Sequence, residues 1–210
     1  MTTSDLARLA DRELGRRFDA LTVDACTSTN DTVLLFASGA AGADLVEPDT
    51  PAWTALAGAI SEVADSLIRQ LAEDAEGGTH VLIVDVSGAA NESDARLVAK
   101  AIAESPLVKT AAFGGDPNVG RVLQAVGSSG VSVTPGLVGV SIGDVEVVHA
   151  GTVPPTFFAP GDALHAAARS AMEEPEIRIG VTLGAGGAAS RAFGCDLSYD
   201  YVKINGEYTT

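Results

Sequence analysis

Residues 80–88 read HVLIVDVSG, an apolar run interrupted only by Asp85 before its small-residue end. A strand with one wet face alternates apolar and polar side chains, whereas a nearly continuous apolar run marks burial on both faces. The flanking sequence supplies the cover. Before it, DTPAWTALAGAISEVADSLIRQLAEDAEGG (49–78) predicts the longest helix of the chain. Trp53, Leu56, Ala57, Ile60, Val63, Ala64, Leu67, Ile68 and Leu71 form its apolar stripe, Pro51 lies in its first turn, and Gly77-Gly78 closes it. After the strand, NESDARLVAKAIAES (91–105) predicts a second helix, ended by Pro106.

Further out, SDLARLADRELGRRFDAL (4–21) carries Leu6, Leu9, Ala10, Leu14 and Phe18 at helical spacing, with Ser4 as N-cap. Residues 21–39 hold two β-leaning apolar runs around a polar knot at Cys26–Thr32. Residues 106–130 contain an apolar run, a Gly-rich loop and a short helix starting near Pro117. VSVTP, LVGVSI and VEVVHAG read as strands within 131–150, with Gly143-Asp144 as a hairpin turn. A helix at 160–173 and a strand IRIGVTL (177–183) follow. GAGGAASRAFG (184–194) leads as a connector into a last strand, and DLSYDYVKIN gives a short terminal helix with Ser198 near its start. Helices alternate with strands, and several strand pairs are hairpin-like. The expected class is a mixed α/β or α+β layered fold. The 210 residues are treated as one chain with one or two cores, a division into subdomains falling near 105–130.

Composition narrows the partners. The chain is 46% hydrophobic and 20% charged, as in folded soluble proteins. Its net charge of −15 argues against nucleic acid or an acidic membrane, because phosphate binding needs clustered Lys and Arg. Cys26 and Cys195 lie far apart, without CxxC or a Cys/His cluster, so they read as reduced thiols of a cytoplasmic protein and imply no metal. No apolar run approaches the length of a membrane span.

Few stretches could carry chemistry. TSTNDT (27–32) is either a polar pocket lining or, more simply, a loop satisfying its own backbone. Glu76, in EDAEGG, sits at a helix C-terminus, where the macrodipole disfavours an anion by roughly a few tenths of a kcal/mol. Such a carboxylate either binds an amine or is one more solvated acid. GGDPNVGR (114–121) lacks both dinucleotide and P-loop patterns, so no nucleotide cofactor is implied. His80, His149 and His165 are scattered and show no triad spacing. The residues taken singly yield no reaction.

Taken together, TSTNDTVLLFASG (27–39), DAEGGTH (74–80), LVKTAAFGGDPNVGR (107–121) and GCDLSYDYVKINGEYTT (194–210) resemble the ArgJ family, in its order and at its spacing over nearly the whole chain. The family comprises ornithine/glutamate N-acetyltransferases of arginine biosynthesis. The resemblance is to the C-terminal β chain of a precursor that cleaves itself before a threonine. It implies an ArgJ/DmpA-like layered sandwich of mixed β-sheets and helices. It also implies acetyl transfer from N-acetylornithine to glutamate through an acetyl-threonine, with acetyl-CoA a further donor in some members. The N-terminal hydroxyl would be activated by its own α-amine, and an oxyanion hole would hold the tetrahedral intermediate. The implied partners are an α chain and a second β chain, as α2β2. Three residues carry over as substrate contacts: Glu76, Asn205 and Thr210. The chain end is thus expected to fold back and line the site.

The departures are specific. The nucleophilic threonine aligns upstream of MTTSDLARLA, so no residue here is assigned as catalytic, and Thr2 aligns downstream of that position. His80 stands where the family usually has Lys, Val119 where it has Trp, and Ala25-Cys26 where it has a Gly-Asp or Gly-Ser pair. Two outcomes stay open: a β part working with an α part, or a non-catalytic fragment keeping an amino-acid pocket.

Overall fold

The computed structural model of the chain describes residues 1–207. Thr2 caps α1 (Thr3–Leu9) through a capping box with Asp5, and Ser4, the expected cap, lies inside the helix. A π-helical stretch, Ala10–Gly15, carries it into α2 (Arg16–Phe18). The chain then runs without regular structure to α3 (Pro51–Glu73), which Thr50 caps and Pro51 starts. β1 (Val81–Ala89) follows, then α4 (Glu92–Glu104) capped by Asn91, α5 (Pro106–Phe113) capped by Ser105, and α6 (Val119–Ser128) capped by Asn118. β2 (Gly139–Ile142) and β3 (Val145–Val148) make the hairpin. The chain continues through α7 (Ala163–Ala171), β4 (Glu176–Thr182), β5 (Ala188–Cys195) and α8 (Tyr199–Glu207).

The strands form one mixed sheet in the order β3-β2-β4-β1-β5. β1 runs parallel to β4 and antiparallel to β5, so it sits inside the sheet as its apolar run requires. Its side chains split by alternation. Leu82, Val84 and Val86 point into the main core with α4 and α6, built around Val98, Ile102, Val122 and Ile179. Val81 and Ile83 point the other way, onto Ile68 and Ala72 of α3. The architecture is therefore an α/β layered fold. No described helix is long and apolar enough to cross a membrane.

Several expected elements change. The β-leaning runs of 21–39 form no strand; Leu21 makes a single parallel bridge to Phe193. Leu34 and Phe36 stand 67% and 83% exposed, because a β-leaning run gains nothing until a neighbour pairs with it. VSVTP is extended but unpaired: Val131 and Val133 pack on the core, and Pro135 opens a 3₁₀ turn, Pro135–Leu137. The small residues from Ala188 onward belong to β5, since Ser190 and Ala192 pair with Val86 and Val84. The apolar run after Ser105 is helical. Val119, the departure from tryptophan, is 1% exposed and packs in the main core. Ala25 takes φ 64°, a left-handed conformation that costs a residue with a β-carbon about 1 kcal/mol and suits the family's glycine better.

Candidate functional site

Asp74 ends α3, and the Gly78 amide donates to the Ala75 carbonyl 2.9 Å away, so the chain turns sharply through Glu76. Gly77 makes the turn possible. Its φ of 67° is left-handed, and a β-carbon there would overlap the Tyr201 amide nitrogen. Glu76 is exposed beside the helix that comes from the far end of the chain. From α8, Asn205 Nδ2 donates to Glu76 Oε2 at 3.1 Å and to the Tyr201 carbonyl at 3.1 Å. Two of the three expected contact residues, 129 positions apart, therefore touch. The third, Thr210, lies outside the described residues.

A third segment joins them. Asp24 Oδ2 accepts from the Tyr201 hydroxyl at 3.1 Å, and Asp24 Oδ1 accepts from the Cys26 amide at 2.9 Å. Desolvation, followed by the Asp24 hydrogen bond, pushes the Tyr201 phenol above its ordinary range. Tyr199 meets Phe113 edge to face at 5.4 Å, which ties α8 to α5.

Beneath this surface lies a buried polar layer. The Asp196 side chain has no exposure, and Oδ1 accepts from the Thr79 and His80 amides at 2.7 and 3.2 Å. Its Oδ2 accepts from Thr79 Oγ1 at 2.5 Å and His80 Nδ1 at 2.9 Å. Burial pushes this carboxyl up, yet the donors from His80 and Thr79 together hold it below the usual carboxylate range. Lys109, 2% exposed, donates to the Cys195 carbonyl and, at 3.5 Å, to Cys195 Sγ. Burial pushes the Cys195 thiol up against the opposing effect of Lys109. Cys26 is exposed and Cys195 buried, both free.

Sequence reasoning did not single out Asp24, Lys109, Asp196 or Tyr201. A weak signal existed in Asp196 and Ser198 just before a short helix, a capping pattern. The histidines stay apart: His149 pairs with Glu146 at 3.0 Å, and His165 leans on the Phe157 ring. TSTNDT is exposed and bonds locally, Ser28 Oγ accepting from the Asn30 and Asp31 amides. Thr2 is occupied as a cap, its amide and hydroxyl both donating to Asp5 Oδ2.

Two open grooves cross the sheet face away from the main core, of about 740 and 530 Å³. In the larger, Arg17 pairs with Asp65 at 2.6 Å and Arg191 with Asp85 at 2.6 Å, so its charges are matched. Neither groove is lined by Glu76 or Asn205. The candidate site is the exposed edge where the turn at 74–80, the turn at 22–26 and α8 converge. An edge on which the exposed Glu76 carboxylate lies beside the Asn205 amide suits a small ligand with an ammonium group.

Comparison with known proteins gives the chain's relatives. The chain is 45% identical over 195 residues to the arginine biosynthesis bifunctional protein ArgJ of Symbiobacterium thermophilum, covering 93% of this chain and 47% of that protein. It is 42% identical over 209 residues to the protein of the same name from Streptococcus thermophilus, covering 99% and 51%. The chain thus spans about half the length of these curated relatives. The crystal structure of the arginine biosynthesis bifunctional protein argJ from Bacillus halodurans superposes with a TM-score of 0.86 at 36% identity, over 98% of this chain and 92% of that one. The ArgJ family model matches residues 1–210, and the chain belongs to the ArgJ family.

Proposed function

We propose that the chain is the β part of an acetyltransferase that moves acetyl from N-acetylornithine to glutamate through an acetyl-threonine. The observation that carries this reading is the Asn205–Glu76 hydrogen bond, which joins two residues the family resemblance names as substrate contacts. In this reading the Glu76 carboxylate meets the substrate's ammonium in a charge-assisted bond. The Asn205 amide turns from Glu76 to the amino-acid head group, with Thr210 beside it.

The acetyl carbon is attacked by a threonine hydroxyl whose proton passes to a neighbouring amine. That amine returns the proton to the ornithine nitrogen as the C–N bond breaks, and the glutamate amine then attacks the ester, breaking its C–O bond and restoring the threonine hydroxyl. The threonine and the oxyanion donors belong to an α part and its adjoining stretch, outside the residues assigned here. The exposure of Glu76, Asn205, Leu34 and Phe36 supports a site and a surface completed by another segment. The assembly in this reading is α2β2.

The test is acetyl transfer from N-acetylornithine to glutamate, for the chain alone and co-expressed with a family α segment carrying the threonine stretch. Intact mass is recorded to detect an acetyl adduct, and acetyl-CoA is offered as an alternative donor. Turnover only with the added segment is expected. Turnover by the chain alone would move the nucleophile to Thr2, and silence from folded protein in both cases would favour a non-catalytic fragment.

A further inference from the structure

Glu76 and Asn205 sit on separate pieces of chain, so their spacing depends on what joins the turn after α3 to the start of α8. We propose that Asp196 and Ser198 are positioning residues that hold Glu76 and Asn205 at contact distance. The inference rests on reading those two as substrate contacts.

Asp196 grips the turn from below. Its four accepted hydrogen bonds come from the amides and side chains of Thr79 and His80, and they fill a carboxylate's accepting capacity. The grip is reciprocal, since the Asp196 amide donates to the His80 carbonyl at 3.1 Å. His80 Nδ1 faces an acceptor that carries no proton, so this nitrogen holds the hydrogen and Nε2 is left free in the neutral ring.

Two residues on, Ser198 grips the same turn from the other side. Its hydroxyl donates to the Gly77 carbonyl at 2.5 Å and accepts from the Asp200 and Tyr201 amides at 3.0 and 3.3 Å. One oxygen thus caps α8 and ties its first turn to the residue after Glu76. Gly77 is pressed against the Asp200–Tyr201 peptide with no room for a side chain. Asn205 follows one helical turn after Tyr201 and bonds to its carbonyl.

Bulk stability alone does not call for a buried carboxylate. Apolar side chains of similar volume stabilise a core as well as buried ions do, whereas directional bonds to an anion fix angles as well as distance. Every bond of this pair runs to residues 77–80 or to the start of α8, the two segments that carry the site.

The experiment uses the assembly co-expressed with the α segment. Asp196→Asn, Ser198→Ala, Thr79→Val and Thr79→Ser are compared with Glu76→Ala. Displaced contact residues weaken substrate and transition state alike, so KM for N-acetylornithine rises about tenfold while kcat holds. Thr79→Ser, which keeps the hydroxyl, restores the native KM. Amide exchange over 199–207 quickens about tenfold in Asp196→Asn and Ser198→Ala, with β1 and β4 still protected. A KM unmoved in these variants while Glu76→Ala raises it overturns the proposal. So does unchanged exchange in α8. If Glu76→Ala leaves KM unmoved, or the native assembly is inactive, the functional reading has failed, and the exchange measurement still decides whether the clamp exists.

Discussion

Asp196 illustrates how one buried side chain acquires leverage. With no exposure and four donors around it, its carboxyl stays ionised to a lower pH than an ordinary aspartate. A folded-state pKa below the unfolded value of about 3.9 gives stability that is present above the unfolded pKa and lost as pH falls through the folded one. Asp196→Asn should therefore destabilise the chain at neutral pH. The loss is about 1–3 kcal/mol, because an amide nitrogen then faces donors that have lost their acceptor. The gap between native and variant should narrow as pH drops below the ordinary carboxylate range. Denaturant midpoints measured over a pH series check this, and a gap that is constant in acid would show that the charge is not what those donors recognise.

α3 is long but lightly held. Of its 23 residues, Trp53, Ala64, Ile68 and Ala72 are buried, while Val63, Leu67 and Leu71 remain exposed along one line. Its purchase on the sheet is the small cluster of Ile68 and Ala72 with Val81, Ile83 and Phe193. Ile68→Ala removes the centre of that cluster and should cost about 2–5 kcal/mol. Because the main core lies on the opposite face of the sheet, the loss should localise. Hydrogen exchange over 51–73 should rise while α4 and β1 keep their protection, and a uniform rise would mean the two faces unfold as one unit.

As a whole, the chain leaves apolar surface uncovered at Val33, Leu34, Phe36 and Leu45, along α3, and at Val202 and Ile204 of α8. Surface of this kind drives association when no partner covers it. Sedimentation of the isolated chain should show a mass that grows with concentration, and co-expression with the α segment should replace that growth with one defined assembly. A concentration-independent single chain would remove this support for a partner segment. The acidic surface, with net charge −15, opposes indiscriminate aggregation, so the association should strengthen as salt is added.

Some of this was legible along the chain because it depends on near neighbours. The apolar run at 81–84 dictates a strand buried on both faces, and the apolar stripe that follows Pro51 dictates the long helix before it. The family resemblance named Glu76 and Asn205, which the fold brings within 3.1 Å of each other. Local pattern failed where pairing decides. Val33 and Leu34 have strand propensity but no neighbouring strand, whereas Ala188 and Ser190 have little and are strand because β1 lies alongside. The partners of the buried layer were beyond local pattern. Asp196 finds its donors 116 and 117 positions away, and Lys109 finds the Cys195 carbonyl 86 positions away. Propensity and periodicity act over a few residues and fix the elements. Which polar atoms meet in the interior is decided only when the closed fold excludes water and every buried donor must find its acceptor.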